Sequence, residues 1–171
     1  NDSQHDAVMK SLTKQLNIIW GPPGTGKTKT ASVLLSSRIH ASQSRGSSLR
    51  ILLTAPTYQA CIELFERTSP FIMKTSGITT YALQSSSRSD FQYLKNLMNG
   101  AKSDFILFQG KTEKDNSQNT LDNLRHGLKT NTFDGITIVL AATATLNGFY
   151  TAGIDSEKRP IFDGIGELFD Y

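Results

Sequence analysis

At 171 residues with a net charge of +3, the chain has the size of one ordinary domain and the length to bury a core. No segment approaches the ~20 consecutive apolar residues of a membrane-spanning helix, so no membrane partner is expected. The single cysteine, Cys61, excludes an internal disulfide framework and a cysteine-based zinc site.

The excess of Lys and Arg is scattered and forms no block, so charge permits a nucleic-acid partner without arguing for one. The opening Asn-Asp-Ser-Gln-His has no signal-peptide pattern, and an intracellular, reducing compartment is the expectation. His5, His40 and His126 are far apart and show no metal-ligand spacing.

In chain order, residues 1–4 offer a helix cap, with Ala7, Val8 and Leu12 as the apolar face. An apolar run, Leu16 to Trp20, reads as a strand with Trp20 in the core. It leads into Gly21-Pro22-Pro23-Gly24-Thr25-Gly26-Lys27-Thr28, and a helix to about His40 follows, with Ala31, Leu34, Leu35 and Ile39 on one face. Strand, glycine-rich loop and helix in that order are the context a phosphate-binding loop requires. Gly24 and Gly26 let backbone N–H groups approach phosphate oxygens with no Cβ in the way. The helix N-terminus favours the same anion. Lys27 can place an ammonium on the β- and γ-phosphates, and Thr28 can offer its hydroxyl to Mg²⁺. Gly21, Pro22, Pro23, Thr25 and Lys29 complete the candidate ATP-binding set.

Ala41 to Ser48 is Ser- and Gly-rich and reads as a solvated loop. Arg50 to Thr54 is a buried strand ended by Pro56, which cannot donate to a ladder. A helix follows with Ala60, Cys61, Leu64 and Phe65 inward. Ile78 to Leu83 reads as a weak strand. Phe91, Leu94, Leu97 and Met98 have helical spacing, stopped by Asn99-Gly100. Phe105 to Phe108 is a short strand or an apolar turn, Lys111 to Asn119 a polar, mobile stretch, and Leu121, Leu124 and Leu128 mark another helix. Residues 70–131 are therefore expected to form an inserted, largely helical segment on the core. Ile136 to Ala142 is a near-continuous, β-branched apolar run, as expected of a strand covered on both faces. Thr143-Ala144-Thr145 lies just past its end, where open α/β sheets bind ligands.

Three phrases carry a family resemblance. Asn1-x-x-Gln4-x-x-Ala7-Val8 resembles the glutamine motif of superfamily 1 helicases, whose amide matches the donor and acceptor on an adenine edge. Thr54-Ala55-Pro56-Thr57 resembles helicase motif Ia, and Ala141-Ala142-Thr143 resembles the following threonine-bearing motif; both threonines contact nucleic-acid phosphate in that family. The layout over residues 1–65 and 135–171 is most similar to the Upf-like branch of superfamily 1B. Tyr58 stands where that family usually has Asn; it can stack on a base or sit on a helix surface, and the surface placement is the expectation.

The resemblance implies a P-loop, RecA-like α/β fold: a mostly parallel sheet with helices on both faces. Residues 1–171 are expected to be the first part of the first motor domain, stopping short of its Walker B strand, because no apolar run ends in Asp-Glu. It further implies ATP and Mg²⁺ as cofactors, Gln4 on adenine, and Pro56, Thr57, Tyr58 and Thr143 on single-stranded RNA or DNA, with a second RecA-like domain as partner. Two other readings remain open at this point. One is an AAA+ ATPase that remodels protein; the other is a degenerate nucleotide-binding scaffold.

Overall fold

The structure, a computed structural model, describes residues 2–13, 18–84, 89–109, 117–130, 132–151 and 169–170. Among them the elements are α1 (Asp2–Thr13), α2 (Lys27–Arg45), β1 (Leu49–Ala55), α3 (Tyr58–Ile72), β2 (Ile78–Gln84), α4 (Gln92–Leu97), β3 (Asp104–Gln109), α5 (Ser117–Thr130), β4 (Ile136–Ala142) and α6 (Thr143–Thr151).

The strands form one parallel sheet in the order β1-β4-β2-β3. β4 lies between two partners and all seven of its residues are buried, which is why its sequence, apart from Thr137, is apolar rather than alternating. One face of the sheet packs through Ile51, Leu53, Ile138 and Leu140 against Leu35 and Ile39 of α2, Cys61 and Phe65 of α3, and Leu94 of α4. The other packs through Tyr81, Leu83, Val139 and Ala141 against Leu124 and Leu128 of α5 and Leu146 of α6. The result is the expected α/β fold with helices on both faces. Each fully buried Ile or Leu side chain contributes about 1.5–3 kcal/mol of hydrophobic stabilisation.

Several expectations are corrected. Residues 70–131 do not decorate the core as a largely helical insertion: they supply β2, which pairs with β4, and β3, which pairs with β2. β2 reads weakly because Thr79 and Thr80 interrupt its apolar run, yet Thr80 is fully buried, and a β-branched residue suits a pleated strand. α2 continues through Arg45, beyond the predicted stop at His40. Its serines bond to helix carbonyls, as Ser44 Oγ does to His40 O at 2.9 Å. The helix ends where Gly46 adopts φ 62°, and the Gly46 and Ser47 N–H groups bond to Gln43 O and Ser42 O. Loop residues here are helix residues with hydroxyl caps. In α1, Ala7, Val8 and Leu12 are only half-buried, and Ser11 is the buried residue. Arg38 Nη2 of α2 donates to its carbonyl at 2.8 Å.

Among the described residues, the expected strand before the glycine-rich loop does not join the sheet. Leu16 and Asn17 lie outside the described residues, and residues 18–20 have no strand partner. Ile18 and Trp20 are 85% and 89% exposed, so Trp20 is not a core residue. The expected polar stretch at 111–119 falls largely outside the described residues, as does Asn1.

Candidate nucleotide site

α2 leads into β1 through the short turn at 46–48, so the two run antiparallel. With 19 residues, α2 is about 28 Å long. Its N-terminus therefore lies at the sheet edge where the strands end. The glycine-rich loop thus shares that edge with the segments that follow β1 and β4.

The loop is shaped by its glycines. Gly24 and Gly26 have φ of 79° and 84°, values that a residue with a Cβ adopts only with strain. A Cβ on Gly21 would come within 2.8 Å of Thr25 Oγ1, so that position needs glycine for space rather than for dihedral freedom. Thr25 Oγ1 donates to Pro22 O at 2.9 Å, which folds the loop back on itself. Gly26 is the N-cap of α2, and no side chain caps the helix. A helix start leaves its first N–H groups without intrahelical partners. Here they combine with the helix dipole to favour an anion.

Lys27 is the first helical residue, and its ammonium turns back across the loop. Nζ donates to Gly21 O at 2.6 Å and to Pro22 O at 2.7 Å. The cation is held over the loop by neutral carbonyls alone, a weaker partnership than with a phosphate. Thr30, buried one turn on, anchors the helix start by bonding through N and Oγ1 to Gly26 O at 2.9 and 3.1 Å. Thr28 is half-buried and Lys29 exposed.

α1 lies beside the loop. Gln4 Nε2 donates to Thr25 O at 2.9 Å. Between α1 and the loop is a cavity of ≈ 650 Å³ whose lining includes Gln4, Ala7, Lys10, Trp20, Pro22 and Lys27, a size within the range of small-molecule sites. Gln4 thus stands at the junction of cavity and loop. Among the described residues no group of three or more His, Cys, Asp or Glu gathers. The loop fits a polyphosphate on its glycine dihedrals, its uncapped helix and its ammonium. For a divalent cation the chain's own loop ligand would be the Thr28 hydroxyl.

The two threonine-bearing motifs meet at the same edge. Thr143 Oγ1 donates to Ala55 O at 3.1 Å, which brings the start of α6 against the end of β1. Thr57 caps α3 by accepting from Ala60 N–H at 3.3 Å. Pro56, Thr57 and Thr143 are exposed. Tyr58 is not on the surface: it is 7% exposed, its hydroxyl bonds to Thr145, and its ring meets Phe91 edge-on at 5.2 Å. Both the base-stacking role and the surface placement expected of it fall away, because helix α3 turns that side inward. Residues 58–65 have the period that would have shown this, with Tyr58, Cys61, Ile62 and Phe65 on one buried face. Thr145, placed by its sequence at the ligand-binding edge, is Tyr58's hydroxyl partner.

On the side of β1 away from β4, Arg50 and Asp170 pair in an arrangement that has no signature in the sequence. Asp170 N–H donates to Arg50 O and Arg50 N–H donates to Asp170 Oδ2, both at 2.9 Å. Arg50 Nε and Nη2 also reach the carboxylate, at 3.2 and 2.9 Å. These bonds hold the Asp170 carboxyl below its ordinary range, with the side-chain hydrogen bond from Arg50 the largest cause.

The model of a protein family described as "AAA domain" matches residues 1–123. Among curated proteins the chain is similar to "ATP-dependent helicase upf1" of Schizosaccharomyces pombe, 37% identical over 93 residues, 54% of this chain and 10% of that protein. It is 34% identical over 94 residues to "ATP-dependent helicase NAM7" of Saccharomyces cerevisiae, covering 54% of this chain and 8% of that protein. A third relative, "DNA polymerase alpha-associated DNA helicase A" of the same yeast, is 35% identical over 72 residues, 42% of this chain and 10% of that protein. The chain thus spans about a tenth or less of the length of these relatives. No solved structure matches. The Upf-like resemblance is borne out over the N-terminal half of the chain.

Proposed function

The chain belongs to the AAA domain family, and from that premise we propose that it is the ATP-binding portion of a helicase that couples ATP hydrolysis to movement on single-stranded nucleic acid. The observation that carries this reading is the glycine-shaped loop on an uncapped α2, with the Lys27 ammonium folded over it. In it the triphosphate takes the place of Gly21 O and Pro22 O as partner of Lys27. The Thr28 hydroxyl offers a ligand to Mg²⁺, which when bound spreads the charge of the β- and γ-phosphates. Gln4 and the cavity beside it receive the base.

Pro56, Thr57 and Thr143 form the nucleic-acid contact of this proposal, all three exposed at the strand-end edge. Phosphate contacts of that kind position a strand and carry no base information, so the reading is of RNA or DNA alike. These three relatives are named as helicases, which favours a nucleic-acid motor over a protein-remodelling ATPase. An intact loop favours both over a scaffold.

β1 supports the placement of a further strand. In a parallel ladder alternate residues turn their peptide groups to opposite sides. Arg50 faces away from β4, and so do Leu52 and Thr54. Asp170 already serves Arg50. A strand continuing from Asp170 along Leu52 and Thr54 would end near the glycine-rich loop. That is where a motor needs an acidic pair, and a second RecA-like domain would complete the engine from the far side of the nucleotide.

Titration of ATP into the chain tests the reading. Lys27→Ala should weaken binding by at least ten-fold while the thermal midpoint without nucleotide stays the same. Undiminished affinity in that variant would remove Lys27 from the phosphate site.

A further inference from the structure

The assigned role of Gln4 is contact with the base, yet its amide is bonded to the loop itself. We propose that Gln4 is also a positioning residue for the phosphate loop, acting on the anion through the peptide between Thr25 and Gly26, independently of any base. This rests on the nucleotide-binding reading above and goes beyond it in assigning a base-independent contribution.

The peptide plane between Thr25 and Gly26 carries the effect. Gln4 Nε2 donates to Thr25 O at 2.9 Å. In a trans peptide the C=O and the following N–H point in opposite directions. A carbonyl held toward α1 therefore turns the Gly26 N–H away from α1. Gly26 has φ 84° and is the N-cap of α2, where small rotations of one peptide decide whether its N–H joins the helix-start donors or turns from them. Glycine has no Cβ to fix that rotation, so the orientation is set by what the carbonyl is bonded to. Gln4 is that partner.

Space confirms how close the two groups are. A Cβ built on Gly26 would lie 2.6 Å from Gln4 Nε2, so the absence of a side chain at Gly26 is what admits the glutamine amide. The other anchors hold different parts of the loop: Thr25 Oγ1 and Lys27 Nζ bind Pro22 O, and Lys27 Nζ also binds Gly21 O. Thr30 holds Gly26 O. Gln4 is set apart from these in reaching the loop from a separate element, 21 residues upstream. α1 is itself tied to α2 through Arg38 and the Ser11 carbonyl, which fixes the base of the glutamine relative to the helix whose start it orients.

The test uses inorganic tripolyphosphate, which has the anion and no base. Gln4→Ala removes the side chain; Gln4→Met keeps its length and helix propensity but cannot donate. Calorimetric titration of tripolyphosphate and of ATP into the chain and both variants separates the roles. A hydrogen bond of ordinary worth corresponds to about a two- to ten-fold loss, and both variants should lose that much tripolyphosphate affinity with unchanged melting midpoints in its absence. Variants that bind tripolyphosphate as the parent does, while losing only ATP affinity, would overturn the proposal and leave Gln4 a base contact. Failure of the unsubstituted chain to bind tripolyphosphate would also overturn it, and whether ATP still binds then decides the nucleotide reading separately.

Discussion

Lys27 shows how a single residue can be both part of the fold and ready for a ligand. Its ammonium bonds to two carbonyls across the loop, so an arriving phosphate exchanges neutral acceptors for charged ones, and charge-assisted bonds are roughly twice as strong. The residue before it bears the conformational demand. Gly26 holds φ 84°, and an alanine there would pay about 1–2 kcal/mol for the left-handed conformation. It would also meet Gln4 Nε2 at 2.6 Å. The glutamine is flexible and can swing aside, which gives up its bond to Thr25 O, but the dihedral strain has no such escape. Gly26→Ala should therefore lower the melting midpoint by only a few degrees and lower ATP affinity by ten-fold or more, read by the same titration. Retained affinity would mean that the loop does not use this peptide to hold phosphate.

Arg50, in β1, shows how an element edge is managed. The strand has β4 on one side; on the other, its backbone at Arg50 is satisfied by Asp170, whose carboxylate also takes the guanidinium. Asp170 has its carboxyl held below the ordinary value in the folded chain. Such a group stabilises the fold above the unfolded value of ~3.9, and that contribution is lost as the pH falls through the lower, folded value. Its side chain is 42% exposed, so solvent screening keeps the contribution to about 1 kcal/mol or less. Asp170→Asn should lower the melting midpoint slightly at pH 7, and the gap from the parent should shrink as the pH drops below about 4; a gap constant with pH would show that the backbone bonds alone hold this edge. The sequence reveals elements unevenly for the same physical reason. β4 is legible because burial on both faces leaves it apolar at every position but Thr137. β2 is also buried on both faces, but Thr79, Thr80 and Gln84 spend polar groups inside, so it reads as weak and its whole segment as an insertion. α2 is under-called because serines that look like loop residues bond back to helix carbonyls. At the site, the loop was legible to the residue because its chemistry needs fixed types at fixed spacing. Tyr58 and the Arg50–Asp170 pair were not, because a long-range partner leaves no local pattern.

For the molecule as a whole, binding and turnover come apart. Four described strands end in Ala55, Gln84, Gln109 and Ala142, and an acid at one such end is what a phosphoryl-transfer site uses to hold the cation and orient the attacking water. On the proposed reading the loop binds a triphosphate on its own chemistry, since glycine dihedrals, helix start and ammonium all lie within residues 21–28. The chain of 171 residues should accordingly bind ATP yet hydrolyse it no faster than a Lys27→Ala control, as measured by phosphate release. A longer parent chain that supplies an acidic strand beside β1 should turn over ATP, and faster with a single-stranded oligonucleotide than without. In that parent, Thr143→Ala removes the hydroxyl that latches Ala55 O and faces solvent at the strand-end edge. It should reduce the oligonucleotide-dependent part of the rate and leave the basal part unchanged, because Thr143 lies outside the loop. Robust hydrolysis by the 171 residues alone would place the catalytic acid within this chain and sink the division of labour drawn here.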